Sequence, residues 1–522
     1  MESFLSRSKE CLVMKRTRWQ LALALGISIW STSAEAQQTV TRAAPGPVRT
    51  AHLAAADFGL ATVSDSASAA EATDDAAPAV DKPGYAEVSS GAACTTTPNC
   101  TAPGCTSPGC TSDGCTSAPD DCALDCGEAV EPWRLFSHCN DNCHGINFRG
   151  WVNGGIMGNS DSPASRFNGP VTFYDRSNEG QLSQLYLIAE KALDTANGPA
   201  WGFRIDAMYG TDYRFNLSRG LSANDNFTAK WDSSRFYGLD VPQAYVELGV
   251  DDTSIKIGHF YTIIGYEVVT APDNFFMTHA YTMQYGEPFT HTGALLTQKV
   301  NDQLSIMAGI TTGWDNFDNV YNNEYSFLGG ATFTASDGNS KLAYAASVGE
   351  EETAFGTVFP TETRFVQSVV YSRTLTDRLS YVAQSDYGIQ EQAVTYSGVE
   401  NAQWYGVNQY LFYKINCCWT AGVRAEWFRD DDGVRVAPAG DYANTGLFPN
   451  SNPASVGGFE GNFYEVAFGL NYKPQGNPNL VVRPEVRYDH FQGNGVGGLA
   501  NPYDDGNSDD QFVYGIDLIY LY

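Results

Sequence analysis

In the stretch NLVVRPEVRYDHF, Asn479 to Phe491, the charged residues Arg483, Glu485, Arg487 and Asp489 share one parity, and Val482, Pro484, Val486 and Tyr488 share the other. A β-strand sends alternate side chains to opposite faces, so this segment has one ionic face and one apolar face. In a soluble sandwich the apolar face packs inward on a core. In a transmembrane barrel it meets lipid, and the ionic face lines a lumen. The alternation is the same in both, so the rest of the chain must decide.

Lys15, Arg16 and Arg18 precede the apolar run Leu21 to Trp30, and the small-x-small site Ala34-Glu35-Ala36 follows it. Residues 1–36 read as a secretory signal peptide cut before Gln37, with Met14 as an alternative start. That run is roughly half the length a spanning helix needs, and no later stretch approaches it, which excludes a helical membrane protein. The 522 residues include 13% aromatic and only 17% charged side chains, with mean hydropathy −0.28, as expected where only one face of each strand is apolar. A net charge of −29 argues against nucleic acid as a partner, because phosphates call for Lys and Arg; it reads either as solubility and surface charge or as a field that favours cations.

Residues 37–93, rich in Ala, Asp, Ser, Pro and Thr without a sustained period, read as a disordered arm. Residues 94–145 form a Cys-rich, low-complexity segment in which Cys100, Cys105, Cys110 and Cys115 recur every five residues, a period of neither helix nor strand. From 146 to 522 the chain reads as sixteen amphipathic strands, the first near 146–158 and the last near 511–522. Seven short connections, such as Asp251-Asp252 and Ser336-Asp337-Gly338-Asn339, alternate with eight long ones. The long ones fall near 159–180, 212–240, 261–289, 314–323, 351–360, 389–401, 430–460 and 492–510. An even-stranded antiparallel barrel with short periplasmic turns and long outer loops has this order; a sandwich has no reason to.

Parity supports the inverted arrangement. Tyr464, Val466, Phe468, Leu470 and Tyr472 oppose Glu465, Gly469 and Asn471, and Trp419, Ala421, Val423, Ala425 and Trp427 oppose Arg424 and Glu426. Aromatic residues gather at strand ends, as interfacial girdles do. The strands near 324–335 and 361–374 alternate poorly. The predicted fold is all-β: a transmembrane antiparallel barrel of about sixteen strands.

Particular wordings carry a resemblance. RFNGPVTFYDRSNEGQLSQLYL (166–187), YGTDYRFNLSRGL (209–221), SRFYGLDVPQAYVE (234–247), GVNQYLFY (406–413), EWFRDDDG (426–433) and NLVVRPEVRYD (479–489) together resemble the β-barrel porin family described as OmpL-like. The likeness spans about 146–522. Its most specific part, 256–293, contains IGHFYTIIGYEVVTAPDNFFMTHAYTMQYGEPFTHTG. What it implies is an outer-membrane barrel with a pore function and no particular solute.

The segment 261–289 would be the third outer loop, which in general sixteen-stranded porins folds into the barrel and narrows it. Glu267, Asp273 and Glu287 would then face the lumen-side Arg424, Arg483 and Arg487, with Glu426 and Glu485 beside them. Opposed charges at a constriction make a transverse field that sieves charged and dipolar solutes. The plainer reading is that these charges pair locally inside a packed lumen.

Two acidic runs, Asp430 to Gly433 and Asp504 to Asp510, are oxygen-rich, but neither has a full calcium-loop spacing, and solvated loop tips are the usual form of such runs. His138, Cys139, Cys143 and His144 could hold Zn²⁺ or another soft metal, although disulfides are the commoner use of thiols in an oxidising compartment. Nine cysteines from Cys94 to Cys143 are an odd number, so one must pair elsewhere or stay free; Cys417 and Cys418 sit at a predicted periplasmic turn. They could bond to the arm or to each other. His259, His279 and His291 lie near the third loop, but no nucleophile elbow, P-loop or zincin motif occurs, so no enzyme is expected.

The sequence therefore reads as an outer-membrane porin passing small hydrophilic solutes or ions, needing no cofactor and assembling as a homotrimer by similarity to general porins. The alternative is a secreted soluble β-sheet surface protein with an adhesive or carbohydrate-binding role.

Overall fold

The computed structural model describes residues 132–136, 145–224, 229–234, 236–318, 324–352, 361–395, 397–436, 458–497 and 499–522. Sixteen strands form one closed antiparallel barrel in chain order, with the last strand paired to the first. They are β1 (Asn147–Asn159), β2 (Glu179–Lys191), β3 (Ala200–Gly210), β4 (Gly238–Val250), β5 (Thr253–Tyr261), β6 (Thr290–Asn301), β7 (Leu304–Thr311) and β8 (Ser326–Thr334). The second half comprises β9 (Ser340–Glu352), β10 (Thr361–Thr376), β11 (Leu379–Thr395), β12 (Gly398–Lys414), β13 (Trp419–Asp430), β14 (Phe459–Tyr472), β15 (Leu480–Gly495) and β16 (Asp510–Leu521). Closure matters in lipid, because an open sheet edge would leave unpaired backbone groups in hydrocarbon.

The short connections are tight turns that use the residues such turns require. Asp251 (φ 51°) turns β4 into β5, and Gly338 (φ 71°) turns β8 into β9; a side chain with a branched Cβ would strain both backbones. Asp302 carries an ion pair to Lys299 at the β6–β7 turn, 2.9 Å.

The polarity of the wall is inverted. Phe468, Val486 and Ile516 are 46%, 39% and 44% exposed, whereas Arg483 and Arg487 of the opposite parity are 2% and 1% exposed. The reading as a soluble surface protein fails on this point, since it needs the apolar face inside. Outward aromatic pairs mark both rims: Trp419 with Tyr472 at the short-turn end, ring centres 4.5 Å apart, and Tyr405 with Trp427 at the long-loop end, 5.6 Å.

Two departures from the sequence reading have physical causes. The expected outer loop 389–401 is mostly strand: β11 runs to Thr395 and β12 starts at Gly398, with a bulge between Gln390 and Ala393. Beyond the lipid band neither face needs to be apolar, so the alternation that marks a strand fades there. The weakly alternating strands β8 and β10 are both present, and their inner faces are buried against loop residues. A Cβ on Gly330 would lie 3.3 Å from Ile263, and Val366 and Val370 pack with inward-folded aromatic side chains. Both faces of β8 are therefore apolar or small, and in β10 Val366 and Val370 interrupt an inner face that also carries Arg364 and Ser368.

Candidate functional site

The connection from β5 to β6, residues 262–289, is buried almost throughout although it has little regular structure: a short 3₁₀ turn at Ala271–Asp273 and a π-turn at Thr282–Gly286. This third outer loop lies inside the barrel. Irregular backbone buried at this depth must have its N–H and C=O groups satisfied, because each unpaired group costs free energy.

The inward side chains of β13 and β15 meet that requirement. Glu485 accepts the N–H groups of Met277 (2.6 Å) and Thr278 (3.2 Å) and the Thr278 hydroxyl. Glu426 accepts those of Tyr281 (2.6 Å) and Thr282 (2.7 Å) and the Thr282 hydroxyl (2.6 Å). Arg483 donates to the carbonyls of Ala271 (2.9 Å), Asn274 (2.8 Å) and Phe276 (3.1 Å) while pairing with Asp517 at 2.5 Å. Arg487 donates to the His279 carbonyl at 2.6 Å and pairs with Asp489 at 2.8 Å. Carboxylates hold the loop's donors and guanidiniums hold its acceptors.

Arg424 joins side chain to side chain. It donates to Glu267 at 2.7 Å, to Glu465 at 3.0 and 3.1 Å, and to the Thr278 carbonyl at 2.8 Å. Glu267 also accepts from the Ala280 N–H (2.9 Å) and meets the His279 ring nitrogen Nδ1 at 3.0 Å. Burial alone would raise the Glu267 pKa, but Arg424 and His279 together hold it well below the usual carboxylate range, so it stays charged. Glu267 and Arg424 thus touch rather than face each other across an aqueous gap.

The other two loop carboxylates differ from Glu267 and from each other. Glu287 is buried and accepts from Gln384 of β11 at 2.5 Å. It sits against Gly265, whose φ is +85° and where a Cβ would come within 1.8 Å of a Glu287 carboxylate oxygen, so only glycine fits. Asp273 is exposed. It accepts the Thr270 hydroxyl at 2.6 Å; crowding by the surrounding loop and wall raises its pKa by desolvation, against the lowering effect of that hydrogen bond and of the Arg149, Arg204 and Lys473 charges. Among the described residues it makes no ion pair.

Neutral inward side chains that the charge pattern did not single out are part of the same docking. Gln184 of β2 donates to the Val269 carbonyl (2.7 Å) and accepts the Ala271 N–H (3.1 Å); Trp404 of β12 donates to the Gly286 carbonyl (3.0 Å). Their signal was a polar or NH-bearing side chain at inward parity. The first outer loop, 160–178, and the 211–224 part of the second also fold inward. Phe173, Phe215 and Leu217 form a buried cluster with Val269, Met283 and Phe289 of the third loop and Trp151, Tyr186 and Ile519 of the wall. Phe173 lies 4.1 Å from the His279 ring.

The remaining candidates serve other ends or lie elsewhere. Asp430 accepts the N–H groups of Val434, Arg435 and Val436 at 2.7–3.0 Å, so its carboxylate shapes a loop. His259 meets Thr292 at 2.8 Å, but its Nε2 has no partner to orient the ring. His138, Cys139, Cys143 and His144 lie outside the described residues, as do the signal peptide and the arm. Among the described residues no cluster of His, Cys, Asp and Glu could hold a metal ion.

A closed sixteen-strand barrel, apolar outside and ionic inside, with loops folded into its lumen, is the architecture of an outer-membrane porin. The chain belongs to the family described as "Putative beta-barrel porin-2, OmpL-like", whose family model matches residues 145–522. Similar solved structures include OprB of Pseudomonas putida, with TM-score 0.47 and 13% identity, covering 76% of this chain and 99% of that one. The outer membrane channel DcaP of Acinetobacter baumannii is similar with TM-score 0.46 and 12% identity, covering 72% and 97%. OmpT of Vibrio cholerae is similar with TM-score 0.45 and 12% identity, covering 72% and 99%. No curated protein sequence matches this chain.

Proposed function

We propose that this outer-membrane porin passes small hydrophilic solutes and ions by passive diffusion, through an aqueous path that its third loop narrows. The narrowing is built by the loop that carries Glu267, Asp273 and Glu287, held in place by Arg424, Glu426, Arg483, Glu485 and Arg487 of the wall. The observation that carries this reading is Asp273: a solvent-exposed carboxylate of the third loop that is ion-paired to none of the cations whose field it feels, whereas Arg149 and Arg204 are already paired with Glu190 and Asp206. An unpaired charge beside water acts on a passing ion or dipole, whereas charges paired at contact largely cancel.

Partly exposed side chains of inward parity, Glu247, Lys256, Thr297, Ser305 and Lys341 on β4 to β9, supply a wetted wall toward the short-turn end. The chemistry asked of such a wall is weak, reversible binding, so no cofactor or catalytic step enters. The same reading exports the chain by residues 1–36, leaves the N-terminal arm in the periplasm, and assembles the barrels as a homotrimer. Planar-bilayer recording of the purified, heat-modifiable protein should show discrete conductance steps, and chemical cross-linking in detergent should trap three chains. A folded barrel that never produces steps would remove the diffusion reading.

A further inference from the structure

The described segment 132–136, upstream of the barrel, is held at the short-turn rim. The Trp133 N–H donates to Asn479 Oδ1 at 2.8 Å, and Asn479 Nδ2 returns a hydrogen bond to the Trp133 carbonyl at 2.7 Å. Asn479 is 4% exposed and also donates to the Leu521 carbonyl at 2.9 Å, so the clamp is built into the wall. The Trp133 ring lies against Tyr520, and Phe136 lies between Phe148 and Tyr522. The next turn along the rim, between β12 and β13, touches the turn that bears Asn479 through a bond from the Lys473 N–H to the Cys418 carbonyl, 2.8 Å.

That turn contains Cys417, which is disulfide-bonded, and Cys418, a free thiol. The two neighbours are therefore not bonded to each other. Every other cysteine of the chain precedes the barrel, at position 11 or between 94 and 143. If residues 1–36 are removed on export, nine cysteines remain upstream, an odd number, and one partner at Cys417 leaves eight, which can pair among themselves. Chain reach agrees: Cys126 and Cys139 stand seven and six residues from Trp133, about 20–25 Å of extended chain. The strands between the two turns span only about 10–15 Å.

We infer that Cys417 is cross-linked to a cysteine of the segment 94–143, so that the barrel's short-turn rim, by this bond and by the Asn479 clamp on Trp133, is the docking surface for the chain's own Cys-rich segment. The bond forms by two thiol–disulfide exchanges with a periplasmic dithiol oxidase that carries a disulfide. Two protein thiols become one disulfide, and the electron pair and two hydrogens pass to the oxidase, which leaves as a dithiol. The inference does not depend on what the channel conducts.

Peptide mapping of the exported full chain, purified without reductant, tests it. The peptide Ile415 to Arg424 should be found joined to a peptide from 94–143 in the wild type and in C418S. C417S should lose that link and gain one alkylatable thiol. The inference is overturned if Cys417 is a free thiol, is joined to Cys418, or is joined to a cysteine of a second copy. If C417S fails the heat-modifiability check for folding, the wild-type and C418S maps decide alone.

Discussion

Arg424 is buried with two carboxylates and a loop carbonyl in direct contact, so its removal strands charge rather than merely losing a contact. R424M should destabilise the folded barrel by roughly 3–5 kcal/mol, because Glu267 and Glu465 lose their shared counter-ion in a dry site. The measurable outcomes are a lower temperature of the heat-modifiable gel transition and, in bilayers, larger and noisier conductance as the third loop loosens. Gly265 constrains the same loop. G265A puts a methyl group where Glu287 lies and strains a backbone at φ +85°, so it should displace the same loop and raise conductance, while a surface Gly198→Ala control should not. The charges around Arg424 were legible in the sequence by parity, but their partners were not: Glu267 is 157 residues away, and nothing in a loop without a period announces where it will dock.

The third loop behaves as an element held at its exit by Asp315, which accepts the Phe289 and Thr290 N–H groups at 2.8 and 2.9 Å. Burial pushes the Asp315 pKa up to about 7, and that of Asp212 in the second loop, also by burial, to about 7. A carboxyl whose folded pKa exceeds its unfolded value binds the proton more tightly when folded. Its contribution is therefore greatest in acid, declines as pH rises from about 4 to about 7, and is flat above that. The barrel should melt at a higher temperature at pH 5 than at pH 8. D315N keeps an acceptor oxygen but cannot ionise, so it should flatten part of this slope; an unchanged slope in D315N would count against the assignment. Element boundaries were legible where one face met lipid and the other met polar groups. They were least so in β8 and β10, whose inner faces pack on loops, and in the β11–β12 hairpin, which continues beyond the lipid band.

At the scale of the whole molecule, three inward-folded loops share one apolar cluster with the wall, so the lumen is largely packed and the wetted surface is confined. Asp273 is the third-loop carboxylate that keeps its exposure, while Glu267 and Glu287 are buried. D273N should shift the reversal potential in a salt gradient toward anion preference with little change in melting temperature, since its one hydrogen bond is to a neighbouring Thr270 hydroxyl. A variant that melted early without changing selectivity would mark Asp273 as a structural residue instead. The overall acidity of the chain, net −29, does not decide this preference, because only charges beside the water path act on a permeating ion.

By itself the sequence determined the barrel: period-two patterning, which a soluble sandwich shares, became decisive once joined to sixteen strands whose short turns alternate with long connections, as lipid on one side of each strand and water at both ends require. Only the tertiary structure decided what that ionic face does. Lipid acts on every strand residue independently and leaves a local trace, whereas the docking of 262–289 on β2, β11, β12, β13 and β15 is a set of long-range matches between side chains and an aperiodic backbone. Those matches exist only once the wall has closed.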